Sequence, residues 1–163
     1  MDVNEKIVEC WLNNCKNIFT ISNVEYNSHH AAIDLLGIDL KNKEVLDIEV
    51  KFKSGISINN SVKKENGFLH IKKQLINKNR EETIKRLLLD NHKFKIKKLL
   101  ITTKKFLTAK KFKYWNKRFK QNGIELEYFE NIIAELSNKA KKMTKASDEI
   151  LQALRIINQF GAK

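Results

Sequence analysis

Ile96–Thr103 is the segment that most restricts the fold. It is a short, continuous apolar run, with Leu99, Leu100 and Ile101 at its centre and lysines at its borders. Such a run suits a strand buried on both faces. Asn17–Tyr26, Ala31–Leu40 and Val45–Lys53 read as three strands in succession, the last two joined by the polar turn Lys41-Asn42-Lys43-Glu44. Gly123–Glu130, where Ile124, Leu126 and Tyr128 alternate with Glu125, Glu127 and Phe129, is a further strand. Helices are expected at Asp2–Cys15, whose Ile7, Val8, Trp11, Leu12 and Cys15 share one arc at about 100° per residue, and at Glu81–Asn91, with Ile84, Leu87 and Leu88 in its stripe. Thr108–Gln121 reads as a helix with Thr108 as N-cap, Phe112, Trp115 and Phe119 on its apolar side, and Gly123 near its stop. Asn131–Met143 is helical. A last helix has Ser147 as N-cap, Asp148 and Glu149 in its first turn, and Ile150, Leu151, Leu154, Ile157 and Phe160 in its stripe. Phe68–Ile76 is ambiguous in pattern, and the polar Ser54–Asn66 reads as a mobile loop. The order α-β-β-β-α-β-α-β, then two helices, is an α/β layout with a mixed sheet. We divide it into a core of residues 1–130 and C-terminal helices, 131–163, that pack on the core or form a dimer contact.

Charge is distributed unevenly along the 163 residues, whose formal net charge is +13. Residues 1–62 hold 6 basic and 9 acidic side chains, residues 63–120 hold 20 and 4, and residues 121–163 hold 6 of each. The middle block contains Lys63-Lys64, Lys72-Lys73, Lys97-Lys98, Lys104-Lys105, Lys110-Lys111 and Lys117-Arg118. A polyanion such as nucleic acid is the expected partner of that block; the ordinary alternative is a solvated, solubilising surface. Hydrophobic content of 42% argues against disorder. No run of about 18 apolar residues offers a membrane span, and the N-terminus lacks a signal-peptide pattern. Cys10 and Cys15 sit on one helix and point to different sides, so neither a disulfide nor a zinc site is expected, and the cytoplasm is the simplest compartment.

Acidic side chains collect where two strands carry unusual residues. On the strand Val45–Lys53, Glu49 and Lys51 share one face, roughly 7 Å apart, while Leu46, Ile48, Val50 and Phe52 take the other. One strand earlier stands Asp34, among Leu36, Ile38 and Leu40. An acid in such company costs free energy unless it is paired or holds a cation. In a hairpin, Asp34 and Glu49 converge on one cation with Lys51 beside it, a set that suits Mg²⁺ and a phosphodiester. The ordinary alternative for Glu49-x-Lys51 is an exposed ion pair on a sheet. Asp39 and Asp47 read as a strand-edge charge and a rim residue. His29-His30 precede the Asp34 strand, near the expected path of a phosphate, and Lys53 shares the face of Lys51 and could touch phosphate. Trp115 fits the apolar stripe of its helix; with Tyr114 it could instead stack on unpaired bases.

These residues resemble the PD-(D/E)xK nuclease superfamily, the restriction-endonuclease-like fold. The beginning of the chain is most similar to archaeal Holliday-junction resolvases and to related small bacterial nuclease-like proteins. The matching steps are Glu5 followed by Trp11-Leu12, then Ile33-Asp34-Leu35-Leu36, then Ile48-Glu49-Val50-Lys51. Ile33 stands where the family name has proline, and the Gly-rich basic start of the resolvases is missing. The resemblance covers residues 1–55 and extends beyond them only by element order. It implies a mixed β-sheet flanked by helices and a Mg²⁺-dependent endonuclease, with Mn²⁺ as a substitute ion. Asp34, Glu49 and the Val50 carbonyl would hold the ion, and Lys51 would orient the attacking water and stabilise charge on the phosphate. Glu5 would be the third acid, with Glu9 as the fallback. Gln74, and less so His70, would be the accessory polar residue on the helix after the loop.

The expected function is DNA phosphodiester hydrolysis, with Lys63, Lys64, Lys72, Lys73, Lys104, Lys105, Lys110 and Lys111 as the phosphate face and His30 and Lys53 as accessories. A non-catalytic nucleic-acid-binding protein of the same fold and an RNA-directed nuclease are the competing readings. A homodimer is expected because nucleases that cut two strands are commonly dimers.

Overall fold

The structure is a computed structural model that describes residues 2–26, 31–52, 58, 67–88, 93–108, 111–145 and 148–161. Five strands form one mixed sheet in sequence order: β1 (Phe19–Glu25), β2 (Ala32–Asp39), β3 (Glu44–Lys51), β4 (Lys95–Thr102) and β5 (Ile124–Tyr128). β1, β2 and β3 are an antiparallel meander, whereas β4 and β5 run parallel to β3. Parallel neighbours require crossovers. Helices α2 (Gly67–Leu75) and α3 (Lys78–Leu87) lie on the first, and α4 (Phe112–Lys120) on the second. Helix α1 (Val3–Trp11) precedes the sheet, and α5 (Phe129–Lys142) and α6 (Glu149–Phe160) follow it.

The apolar run forms β4, between β3 and β5. Its side chains alternate between two cores, as burial on both faces requires. Leu99 and Ile101 join Val8, Trp11, Phe129 and Leu136 under α1 and α5, while Leu100 joins Phe68, Ile71 and Phe119 under α2 and α4. A third cluster gathers Ile33, Leu36 and Val45 against Ile84 of α3. Ile132, Leu136 and Ala140 of α5 and Leu151 of α6 belong to the first cluster, so the C-terminal helices share the core of the sheet. The outer side of α6 leaves Ile156, Ile157 and Phe160 exposed.

Local chemistry accounts for the boundaries. α1 opens on a capping box in which Asp2 accepts the Glu5 N–H at 2.9 Å and Glu5 accepts the Asp2 N–H at 3.1 Å. It passes into a π-helical turn, Leu12–Lys16, that ends at left-handed Asn17 (φ 56°). Cys15 packs against the cluster of Val8, Trp11 and Leu12 whose arc it shares in sequence, and Cys10, expected to point to a different side, belongs to the same cluster. Burial pushes the Cys10 thiol up to about 12, and the thiol donates to Asp148 at 3.2 Å. Asp148 also accepts the Ile150 and Leu151 N–H groups, so it caps α6; Ser147, the expected cap, lies outside the described residues. The ambiguous Phe68–Ile76 is helix α2. Thr108 is not an N-cap: it stands at φ 61°, and α4 begins later, at Phe112, with no side-chain cap. Gly123, at φ 71°, supplies the left-handed residue between α4 and β5. Of the expected loop 54–66 only Ile58, which is buried, is described. Among the described residues no helix is long and apolar enough to cross a membrane.

Candidate active site

The site forms where β2 and β3 part. Their pairing runs from Asp39↔Glu44 to Leu35↔Ile48. One step further, Asp34 Oδ2 accepts the Val50 N–H at 2.7 Å, so a side chain takes the place of a ladder carbonyl. The alternation of β2 shifts here: Leu35 joins the first core, while Ile33, two residues earlier, joins the third. On the other edge of β3 the Thr102 hydroxyl donates to the Lys51 carbonyl at 2.8 Å, which fixes the end of the strand to β4.

Asp34, half-buried, and Glu49, buried, are brought together. Burial, then the nearby Glu49 charge, pushes the Asp34 carboxyl up from 3.8 to about 6; the Val50 N–H and Lys51 pull it back, and Glu5 adds to the push. Glu49 is 2% exposed. Its Oε1 meets Lys51 Nζ at 2.5 Å, and its Oε2 accepts from Arg80 Nη1 at 2.7 Å. The Glu49–Lys51 pair is therefore an ion pair in the protein, not an exposed one.

Arg80, from the first turn of α3, is the residue that sequence reasoning did not single out. It is fully buried. Its Nε and Nη2 meet Asp47 Oδ1 at 2.7 and 2.6 Å, and Nη2 also donates to the Ile48 carbonyl at 3.2 Å. Burial alone would lower the pKa of its guanidinium, but Asp47 and Glu49 more than offset this and raise it. Asp47 is thus not a rim residue: it is fully buried, with Lys98 Nζ 3.6 Å from its Oδ2. The signal was present, since Arg80 stands four residues before Ile84, on the buried stripe of α3. A long cation on an apolar stripe needs an anion beneath it.

Of the two helical acids, Glu5 is the one whose charge bears on Asp34. Glu9 accepts the Thr20 hydroxyl at 3.2 Å, in a surface cleft that it lines with Asn13 and Phe19. Gln74 Oε1 is buried without a hydrogen-bond partner among the described residues, and His70 is exposed. Lys53, His29 and His30 lie outside the described residues. Among the described residues no three His, Cys, Asp or Glu side chains gather as a metal cluster. What the site offers is hard oxygen: the Asp34 and Glu49 carboxylates and the Val50 carbonyl, a donor set that fits Mg²⁺ or Mn²⁺. Burial first, and the Glu49 charge second, raise the Asp34 carboxyl, and a cation beside it would lower it again.

The basic block divides in two. Lys97 pairs with Glu44 at 2.7 Å and Lys98 with Asp47 and Glu81, so both are spent inside the molecule. Lys73, Lys104, Lys105 and Lys111 are exposed and Lys72 half-buried; Lys63, Lys64 and Lys110 lie outside the described residues. Because β3 and β4 are parallel, with Lys51 opposite Thr102, Lys104 and Lys105 leave β4 at the sheet end that carries Glu49 and Lys51. Trp115 is core, 4% exposed, whereas Tyr114 is 55% exposed and accepts from Arg118 at 3.2 Å. Comparisons with protein-family models, with curated proteins and with solved structures find no match to this chain.

Proposed function

We propose that this chain is a metal-dependent nuclease of restriction-endonuclease-like fold that hydrolyses DNA phosphodiester bonds, working in the cytoplasm. The observation that carries the reading is the half-buried Asp34 beside the buried Glu49 at the C-terminal end of β3, with Lys104 and Lys105 leaving the sheet at that same end. Ligand sites of open α/β sheets favour the carboxyl ends of parallel strands. Asp34, Glu49 through Oε1 and the Val50 carbonyl would hold Mg²⁺ or Mn²⁺; Glu5 adds negative charge from α1. A divalent ion bound there neutralises phosphate charge and makes water a better nucleophile. Asp34 and Glu49 fix its place, and the Val50 N–H holds Asp34 in register. Lys51, freed from Glu49, orients water and stabilises the charge that develops on the phosphate. The lysines after β4 and on α2 bind the backbone.

A second reading rests on a specific observation. Both Glu49 oxygens already meet cationic side chains, a closed arrangement that a non-catalytic nucleic-acid-binding protein could keep. Incubation with plasmid, branched and single-stranded DNA, and with RNA, in Mg²⁺, Mn²⁺ or chelator separates the readings. Cleavage that chelator stops supports the nuclease, and the preferred substrate separates DNA from RNA. Binding without cleavage under every condition supports the second reading.

A further inference from the structure

We infer, on the metal-dependent reading above, that Arg80 is a positioning residue that restricts Glu49 to a single oxygen toward the ion, and that it thereby biases the site against Ca²⁺. The guanidinium is a rigid fork of five donors. In this fold one side of the fork is fixed on Asp47 and on the Ile48 carbonyl, and the remaining arm, Nη1, reaches Glu49 Oε2. The backbone that carries it is itself fixed, because the Asn77 side chain accepts the Asn79 and Arg80 N–H groups at the start of α3. Arg80 is fully buried, so no solvent competes for the arm. Glu49 Oε2 is therefore turned inward, and Oε1, where Lys51 sits, is the oxygen that a cation meets.

That restriction has a chemical consequence. Mg²⁺ keeps a tight octahedral shell, with one or two carboxylates and several waters, and Mn²⁺ accepts similar oxygen sites. Ca²⁺ takes six to eight oxygens at about 2.3–2.6 Å, often with a bidentate carboxylate. A Glu49 whose Oε2 is drawn inward onto Arg80 presents Oε1 to the ion, so Ca²⁺ loses a ligand that Mg²⁺ and Mn²⁺ do not require. A lysine at position 80 keeps the positive charge but lacks the fork; it cannot hold Asp47, Ile48 and Glu49 at once, and Oε2 is released.

Calorimetric titration of the full chain with Mn²⁺ and with Ca²⁺, without nucleic acid, tests this directly. The parent chain should bind Mn²⁺ more tightly than Ca²⁺. Arg80→Lys should shift the ratio of the two dissociation constants toward Ca²⁺ by about tenfold or more, the scale on which residues behind metal ligands act. A merely structural Arg80 would weaken both ions alike and leave the ratio where it was, a result that overturns the inference while the metal site stands. Failure of the parent chain to bind either ion overturns both the inference and the reading beneath it. Should Arg80→Lys not fold, a crystal structure of the parent chain with Mn²⁺ decides. One Glu49 oxygen on the ion with Arg80 on the other is the expected result; a bidentate Glu49, or Arg80 detached from it, overturns the inference.

Discussion

Asp34 is an acid of the site whose carboxyl folding pushes up, and that push has a sign that can be measured. Its pKa rises on folding, from 3.8 to about 6, so between those values the folded chain holds a proton that the unfolded chain has released. The stability contributed by this group is present at low pH and is lost as pH climbs through about 6. At about 1.4 kcal/mol per unit, discounted for partial solvent access, the loss is on the order of 2 kcal/mol. In chelator, Asp34→Asn, whose amide oxygen can still accept the Val50 N–H, should therefore be more stable than the parent by about that amount at pH 8 and equal to it near pH 4. Urea denaturation at the two pH values measures the difference; an equal gain at both would remove the charge from the explanation. Asp34, Glu49 and Lys51 were legible in the sequence because two-residue alternation exposes an acid among apolar neighbours. Arg80 left one local trace, its place on the buried stripe of α3, but its partnership with Asp47 was not legible, because it joins β3 to a helix far along the chain.

At the scale of elements, the continuous apolar run announced a doubly covered strand, and β4 alternates between two cores accordingly. Boundaries were harder to read where neighbouring residues have similar capping chemistry. Ser147 and Asp148 are both good N-caps, and only the geometry selects Asp148, which also receives the Cys10 thiol. Asp148→Ala should cost about 1 kcal/mol for the cap, with a further loss from the Cys10 S–H left without its acceptor. Thermal unfolding should show that loss with metal binding unchanged; a loss of metal binding would mean that α6 supports the site more closely than its packing indicates. Thr108 shows the limit of propensity. Threonine is a good cap, yet at position 108 the backbone is left-handed and the helix begins further on. The π-helical turn at Leu12–Lys16 was not read from the sequence, whose apolar arc runs on to Cys15 as in a plain α-helix.

Across the whole molecule, charge counted along the chain does not equal charge offered to a partner. Lys97 and Lys98 belong to the basic block in sequence but are spent on Glu44, Asp47 and Glu81 in the fold. Lys104 and Lys105 remain exposed at the site's end of the sheet. Reversing the latter pair to Glu should weaken DNA binding for all sequences alike and flatten the dependence of log K on log salt, which falls by roughly 0.9 for each phosphate neutralised. Lys97→Glu should lower stability and leave that slope unchanged; a salt slope near zero in the parent would assign the charge another purpose. Lys51→Ala should slow single-turnover cleavage by about 10²–10³-fold with the metal still bound. A single-turnover assay on labelled DNA in Mg²⁺, comparing the parent with Glu49→Gln and with affinity measured in parallel, tests whether the carboxylates do the chemistry. Cleavage by the parent alone, at nearly equal affinity for both, is the predicted result. Equal cleavage by the two proteins, or none by the parent under any metal condition, would contradict a nuclease built on Asp34 and Glu49.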